Sequence, residues 1–163
     1  MKKIILIGLF LSSGLTSVIA QSTEETAAKY LSFYTTKQFD AIKAYYTDES
    51  IFQDATMSFF DQQGKYETLK GSENISAFLK EGFASISEID YQVQHEYAVG
   101  VISYSYGILK YEYVISHEGQ QKSLKIELPL AIVLEVKNGK VIRHQDIADY
   151  NKWYEQYKAQ INH

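Results

Sequence analysis

Apolar positions in this chain repeat with a helical period up to about residue 86 and with a period of two from residue 89 onward. Ala27, Tyr30, Leu31 and Tyr34 recur at i, i+3, i+4 and i+7. They form one stripe of a helix over residues 22–37, opened by the capping box Ser22/Glu25. A second short helix is expected from Asp40, with Ile42, Tyr45 and Tyr46 turned inward. Residues 50–54 read as extended, with Phe52 and Asp54 on one face. Residues 55–69 carry no period. A loop of that length in a compact domain tends to hold function or to move, and Met57, Phe59 and Phe60 would suit it to covering a pocket. Ser72 then caps a third helix whose stripe is Ile75, Phe78, Leu79, Phe83 and Ile86.

In the second half, Tyr91, Val93, His95, Tyr97 and Val99 alternate with Asp90, Gln92, Gln94 and Glu96, the pattern of a strand with one apolar face. Strands over 101–116, 122–136 and 140–147 follow, joined by a turn at residues 117–120 and by Asn138-Gly139, a type I′ hairpin signal. Asp149 caps a last helix with Tyr150, Trp153, Tyr154, Tyr157 and Ile161 on one side. Pro129 lacks an N–H and marks a sheet edge or a bulge. Three helices, a short strand, four antiparallel strands and a terminal helix make an α+β domain. Its curved antiparallel sheet is wrapped by the N-terminal helices and encloses a cone-shaped cavity.

The stretch GKVIRHQDIADYNKWYEQY, residues 139–157, concentrates the candidate chemistry. Strand alternation turns Ile142, His144 and Asp146 one way and Arg143, Gln145 and Ile147 the other. An imidazole beside a carboxylate performs proton chemistry if that face lines a pocket. A carboxylate set in an apolar wall holds its proton more tightly than one in water, as general acid–base work near neutral pH requires. Asp54, at the end of the first short strand, is a second candidate.

Composition narrows the classes. Lys2-Lys3, the apolar run Ile4–Leu11 and Val18-Ile19-Ala20 have the order of a signal peptide cleaved near Ala20. The expectation is an exported protein, periplasmic or secreted, with residues 21–163 as one domain. The apolar run is too short for a stable membrane span. The formal charge of −4, without a basic cluster, argues against nucleic acid as a partner. With no cysteine, disulfides, thiol nucleophiles, thiolate metal sites and a lipidated N-terminus are excluded together. No His/Asp/Glu group has metal-ligand spacing and no glycine loop suits phosphate, so no cofactor is expected. Fourteen tyrosines and eight phenylalanines suit a core enclosing a semi-polar cavity for a small apolar molecule.

Three stretches together resemble the nuclear transport factor 2-like superfamily, its SnoaL-like branch above all. They are KQFDAIKAYYTDESIFQD (residues 37–54), GSENISAFLKEGF (71–83) and KVIRHQDIADY (140–150). The resemblance covers residues 23–160 and implies the cone-shaped α+β fold. The superfamily includes ketosteroid isomerase, polyketide cyclases, epoxide hydrolases, a dehydratase and non-catalytic members. Tyr30 stands 24 residues before Asp54, the separation of the isomerase's oxyanion-hole tyrosine and its base. The resemblance therefore implies Asp54 as base and Tyr30 as a hydrogen-bond donor to the ligand. The isomerase's protonated acid has no counterpart, because residues 130–133 carry none. The cyclases' late-strand aspartate with a nearby histidine matches Asp146 and His144. Two functions follow. One is cofactor-independent acid–base catalysis of isomerase, cyclase or hydrolase type by Asp54, His144 and Asp146. The other is a non-catalytic ligand-binding or dimerisation module, in which the tyrosine-rich strand 103–113 supplies a homodimer face.

Overall fold

The computed structural model describes residues 22–54 and 67–161. Helix α1 (Thr23–Thr35) opens as expected, with the Ser22 hydroxyl accepting from the Glu25 N–H at 3.1 Å. Ala27, Tyr30 and Tyr34 are its buried stripe. Helix α2 (Phe39–Lys43) is only five residues long and opens at Gln38 rather than Asp40. Strand β1 (Ile51–Asp54) and strand β2 (Glu67–Lys70) form an antiparallel pair. The end of the stretch read as irregular is therefore a strand. It was missed because four residues are too few to show a period. Met57, Phe59 and Phe60 lie outside the described residues.

Helix α3 (Ser72–Gly82) is capped by Gly71 at φ +90°, not by the Ser72 side chain. A glycine tolerates this backbone and a serine would be strained by it. Ile86 leaves the expected helical stripe to open strand β3 (Ile86–Val99). Strands β4 (Ile102–His117), β5 (Gln120–Lys137) and β6 (Lys140–Ala148) follow, then helix α4 (Tyr150–Ile161). Glu118-Gly119 and Asn138-Gly139, all at positive φ, make two-residue hairpin loops. The six strands lie in the order β2-β1-β6-β5-β4-β3, and every pair is antiparallel except β1–β6.

Two irregularities bend this sheet and redirect side chains. The β5–β6 register shifts between Glu135 and Val136, which makes Ile142 the extra residue. Val141, not Ile142, is therefore buried with His144 and Asp146. A second shift between Val93 and His95 corrects the expected single face of β3. Tyr91 stays inward, whereas His95 stands opposite Tyr106 and Tyr97 opposite Tyr104, on the outer face. His95, expected on the apolar face, is exposed. Gly107 makes this crossing possible, because a Cβ there would sit 2.2 Å from the Gln92 carbonyl oxygen. Gly107→Ala is expected to lower stability by about 1–3 kcal/mol, read as a lower urea midpoint. An unchanged midpoint would show that β3 moves aside freely.

Pro129 sits where β6 leaves β5. Pairing with β6 starts at Leu130, and the Asp149 N–H donates to the Pro129 carbonyl at 3.3 Å. Just before it, the Glu127 and Lys125 N–H groups donate to Gln156 and Gln160 of α4, both at 2.9 Å. The same glutamines donate back to those residues' carbonyls at 2.8 Å. Two glutamines one turn apart thus stand in for a missing strand, and the proline occupies a locally open edge as expected. They dock α4 with Trp153 buried against Ile126 and Leu128, and α1 crosses the inner face of β3–β6.

Candidate functional site

The parallel pairing of β1 with β6 brings the two candidate carboxylates together. In that register Phe52 stands beside His144 and Asp54 beside Asp146. Residues paired in register share a face, so both aspartates enter the same concave space. They line a cavity of about 310 Å³. Its walls are mostly apolar, including Phe78, Phe83, Leu109, Leu130 and Ile132, with hydroxyls from Tyr34, Tyr91, Tyr111 and Tyr150. Asp54 accepts from the Tyr150 hydroxyl, so the first turn of α4 reaches across to the end of β1.

Asp146 is 4 % exposed and hydrogen-bonded at both oxygens. The Tyr34 hydroxyl donates to Oδ2 at 2.7 Å, and His144 Nε2 lies 2.8 Å from Oδ1. His144 is fully buried and does not line the cavity. It lies beneath Asp146, with the rings of Phe52, Tyr34 and Tyr30 set edgewise around it at 4.8, 5.0 and 5.4 Å. Its Nδ1 is 2.6 Å from the Tyr30 hydroxyl, which bonds in turn to the Tyr46 hydroxyl. The result is an unbroken chain Tyr46–Tyr30–His144–Asp146, closed by Tyr34 on the cavity side.

The sequence-based candidates thus separate by depth. Asp54 and Asp146 reach the cavity. His144 orients Asp146 from behind. Tyr30 is fully buried and absent from the lining. In place of the expected ligand contact, its hydroxyl is spent on His144 and Tyr46. Tyr34, Tyr46 and Tyr150 were not singled out as site residues. Tyr34 carried a readable signal, lying one turn after Tyr30 on the same stripe.

Burial pushes the hydroxyls of Tyr30, Tyr34 and Tyr46 well above the usual phenol range, and burial raises Tyr91 to about 12. For Tyr34, the charges of Asp146 and Asp54 add to the effect. Near neutral pH these groups are neutral hydrogen-bond donors, not bases. The acid–base capacity of the cavity therefore resides in its carboxylates. Each Asp146 oxygen keeps a second lone pair after its protein bond is made, so the group can still accept a proton from a molecule in the cavity. Among the described residues no group of three or more His, Asp or Glu side chains could hold a metal ion, and no helix is long and apolar enough to cross a membrane.

The sequence model of the SnoaL-like domain matches residues 27–144, from α1 to the histidine just ahead of Asp146. No curated protein matches. Among solved structures, a protein from Shewanella putrefaciens named as a SnoaL-like polyketide cyclase is similar at 23% identity, with a TM-score of 0.72 over 85% of this chain and 97% of its own. IdmH of Streptomyces antibioticus, named as a polyketide cyclase, gives 13% identity and a TM-score of 0.67, covering 85% and 99% of the two chains. An LEH-like epoxide hydrolase of M. tuberculosis gives 12% and 0.63, covering 85% and 91%.

Proposed function

We propose, since this chain belongs to the SnoaL-like domain family, that its cavity takes a small, largely apolar molecule on which Asp146 moves a proton without a cofactor. One observation carries the proposal. Asp146 is a cavity-lining carboxylate with both oxygens held by hydrogen-bond partners, His144 and Tyr34, in a mostly apolar wall. Asp54, fixed by Tyr150 on the neighbouring strand, is the second acid–base group. Relatives named as polyketide cyclases and as an epoxide hydrolase support a reaction of cyclase, hydrolase or isomerase type. The test starts from compounds that stay with the purified protein, identified by mass spectrometry. Wild type is expected to convert such a compound, and Asp146→Asn and Asp54→Asn are each expected to abolish conversion while remaining folded. Conversion that survives both substitutions overturns the reading.

A second reading, a homodimeric module, is favoured by the outer sheet face. Ser103 and Ser105 are buried on the inner face, and the pairs Tyr97–Tyr104 and Val99–Ile102 alternate with them, which leaves Tyr97, Val99 and Ile102 on the outer side, with Tyr97 60% and Val99 71% exposed. Apolar surface gathered at one sheet end suits an isologous contact. Light scattering at micromolar concentration is expected to give a dimer, and Tyr97→Glu a monomer. A monomeric wild type removes this reading and leaves the cavity reading intact. Export after cleavage near Ala20, to the periplasm or beyond, is also proposed, from residues 1–20, which lie outside the described residues. The mature protein should have a mass that begins at Gln21. A mature mass that retains Met1 rules the proposal out.

A further inference from the structure

Three buried groups take part in the hydrogen-bond chain without touching the cavity: His144, Tyr30 and Tyr46. Neither Tyr30 nor Tyr46 serves a ligand, yet both hydroxyls are aimed along one line that ends on the cavity carboxylate.

The possible donor assignments are few. With Asp146 ionised, its Oδ1 requires a proton on His144 Nε2. The neutral imidazole then leaves Nδ1 as an acceptor, Tyr30 donates to it, and Tyr46 donates to Tyr30. Every partner in that arrangement is matched. If Nδ1 carried the proton instead, a bare Nε2 would face Oδ1 at 2.8 Å, two acceptors in contact, unless Asp146 were itself protonated. In that protonated case Asp146 donates to Nε2, Nδ1–H donates to Tyr30, and Tyr30 donates to Tyr46. A hydroxyl serves equally as donor or acceptor, so Tyr30 and Tyr46 point toward His144 at the lower proton count and away from it with one proton more, whether that proton sits on Asp146 or makes His144 an imidazolium, since Nδ1–H faces Tyr30 in both.

We propose that Tyr30, backed by Tyr46, is a positioning residue that donates to Nδ1 of His144 while ionised Asp146 holds Nε2–H, and that reverses polarity when Asp146 takes up a proton. The proposal rests on the reading of Asp146 as the acting carboxylate. The bond from the reacting molecule to its proton breaks, the molecule keeps the electron pair, and the proton joins Asp146. Because the rest of the chain is buried away from the cavity, the proton stays on the Asp146–His144 pair. It returns to the reacting molecule instead of passing to water through the core.

The test is nitrogen NMR of the full protein with labelled histidines, with the His144 signals assigned by their loss in His144→Gln. Near neutral pH, wild type is expected to show a proton-bearing Nε2 and a bare, hydrogen-bonded Nδ1. Tyr30→Phe should keep the Nε2–H tautomer and move the Nδ1 signal to that of a bare nitrogen without a hydrogen bond, with the exposed His95 unchanged. Tyr46→Phe should keep the Nε2–H tautomer, because Tyr30 still donates to Nδ1. A proton on Nδ1 of wild-type His144 overturns the proposal. So does a Tyr30→Phe spectrum identical to wild type, or a switch to Nδ1–H in Tyr46→Phe. If Tyr30→Phe does not fold, the wild-type and Tyr46→Phe spectra still decide. Failure of Asp146 as the acting carboxylate would appear instead as turnover that survives Asp146→Asn, with the wild-type His144 spectrum as expected.

Discussion

Replacing Asp146 with asparagine is expected to lower turnover of the cavity's substrate by roughly 10²–10⁴-fold, the usual effect of losing a positioned acid–base group. The side chains are nearly equal in volume, so the cavity keeps its shape. The proton acceptor is removed, because an amide oxygen is a far weaker base than a carboxylate. One structural side effect must be separated from the chemistry. Asp146 is hydrogen-bonded to two partners, His144 and Tyr34. Asparagine accepts through its oxygen only, so its amide nitrogen must face one of them. Either partner can turn to accept, His144 as its Nδ1–H tautomer or Tyr34 through its hydroxyl oxygen, so the loss of the charged acceptor is expected to cost about 1 kcal/mol, read as a lower urea midpoint with unchanged slope. A variant that remains folded and binds the same compound, yet converts it at the background rate, assigns the loss to chemistry. Turnover within tenfold of wild type would move the acting group to Asp54. In that case Asp54→Asn must show the larger loss.

Much of this site was legible in the sequence, and the parts that were not have specific causes. The capping box and stripe of α1, the hairpin at Asn138-Gly139 and the Asp149 cap of α4 are local signals, and local physics placed them. The two-residue spacing of His144 and Asp146 put both on the inner face, but spacing says nothing about depth. Depth is decided by α1, whose Tyr30 lies over His144 and seals it. The neighbouring position of Asp54 and Asp146 depends on β1 inserting parallel to β6, a pairing across about ninety residues that no period announces. The inward turn of Ile142 failed for a related reason. A single extra residue in the β5–β6 ladder reverses every face before it, and its signal lies in the partner strand.

His144→Ala is expected to be among the most destabilising single changes in the described part of the chain, at about 3–5 kcal/mol. Two losses combine. The ring is fully buried among Phe52, Tyr30 and Tyr34, whose edges keep the void from closing. The carboxylate of Asp146 and the hydroxyl of Tyr30 also lose a partner in a dry interior, where an unmatched polar group costs more than its bond contributed. Tyr30→Phe removes only one hydroxyl and is expected to cost about 1–3 kcal/mol. The order His144→Ala above Tyr30→Phe in urea denaturation therefore checks that His144 is the centre of the chain. A loss below about 1 kcal/mol for His144→Ala would mean that water or a neighbouring side chain replaces the ring. The same arithmetic limits what activity assays on this residue can establish. A protein that loses this much stability can lose turnover through unfolding alone. The chemical role of the pair must therefore be read from Asp146→Asn and from the tautomer of His144, with His144→Ala reporting on the architecture that holds them.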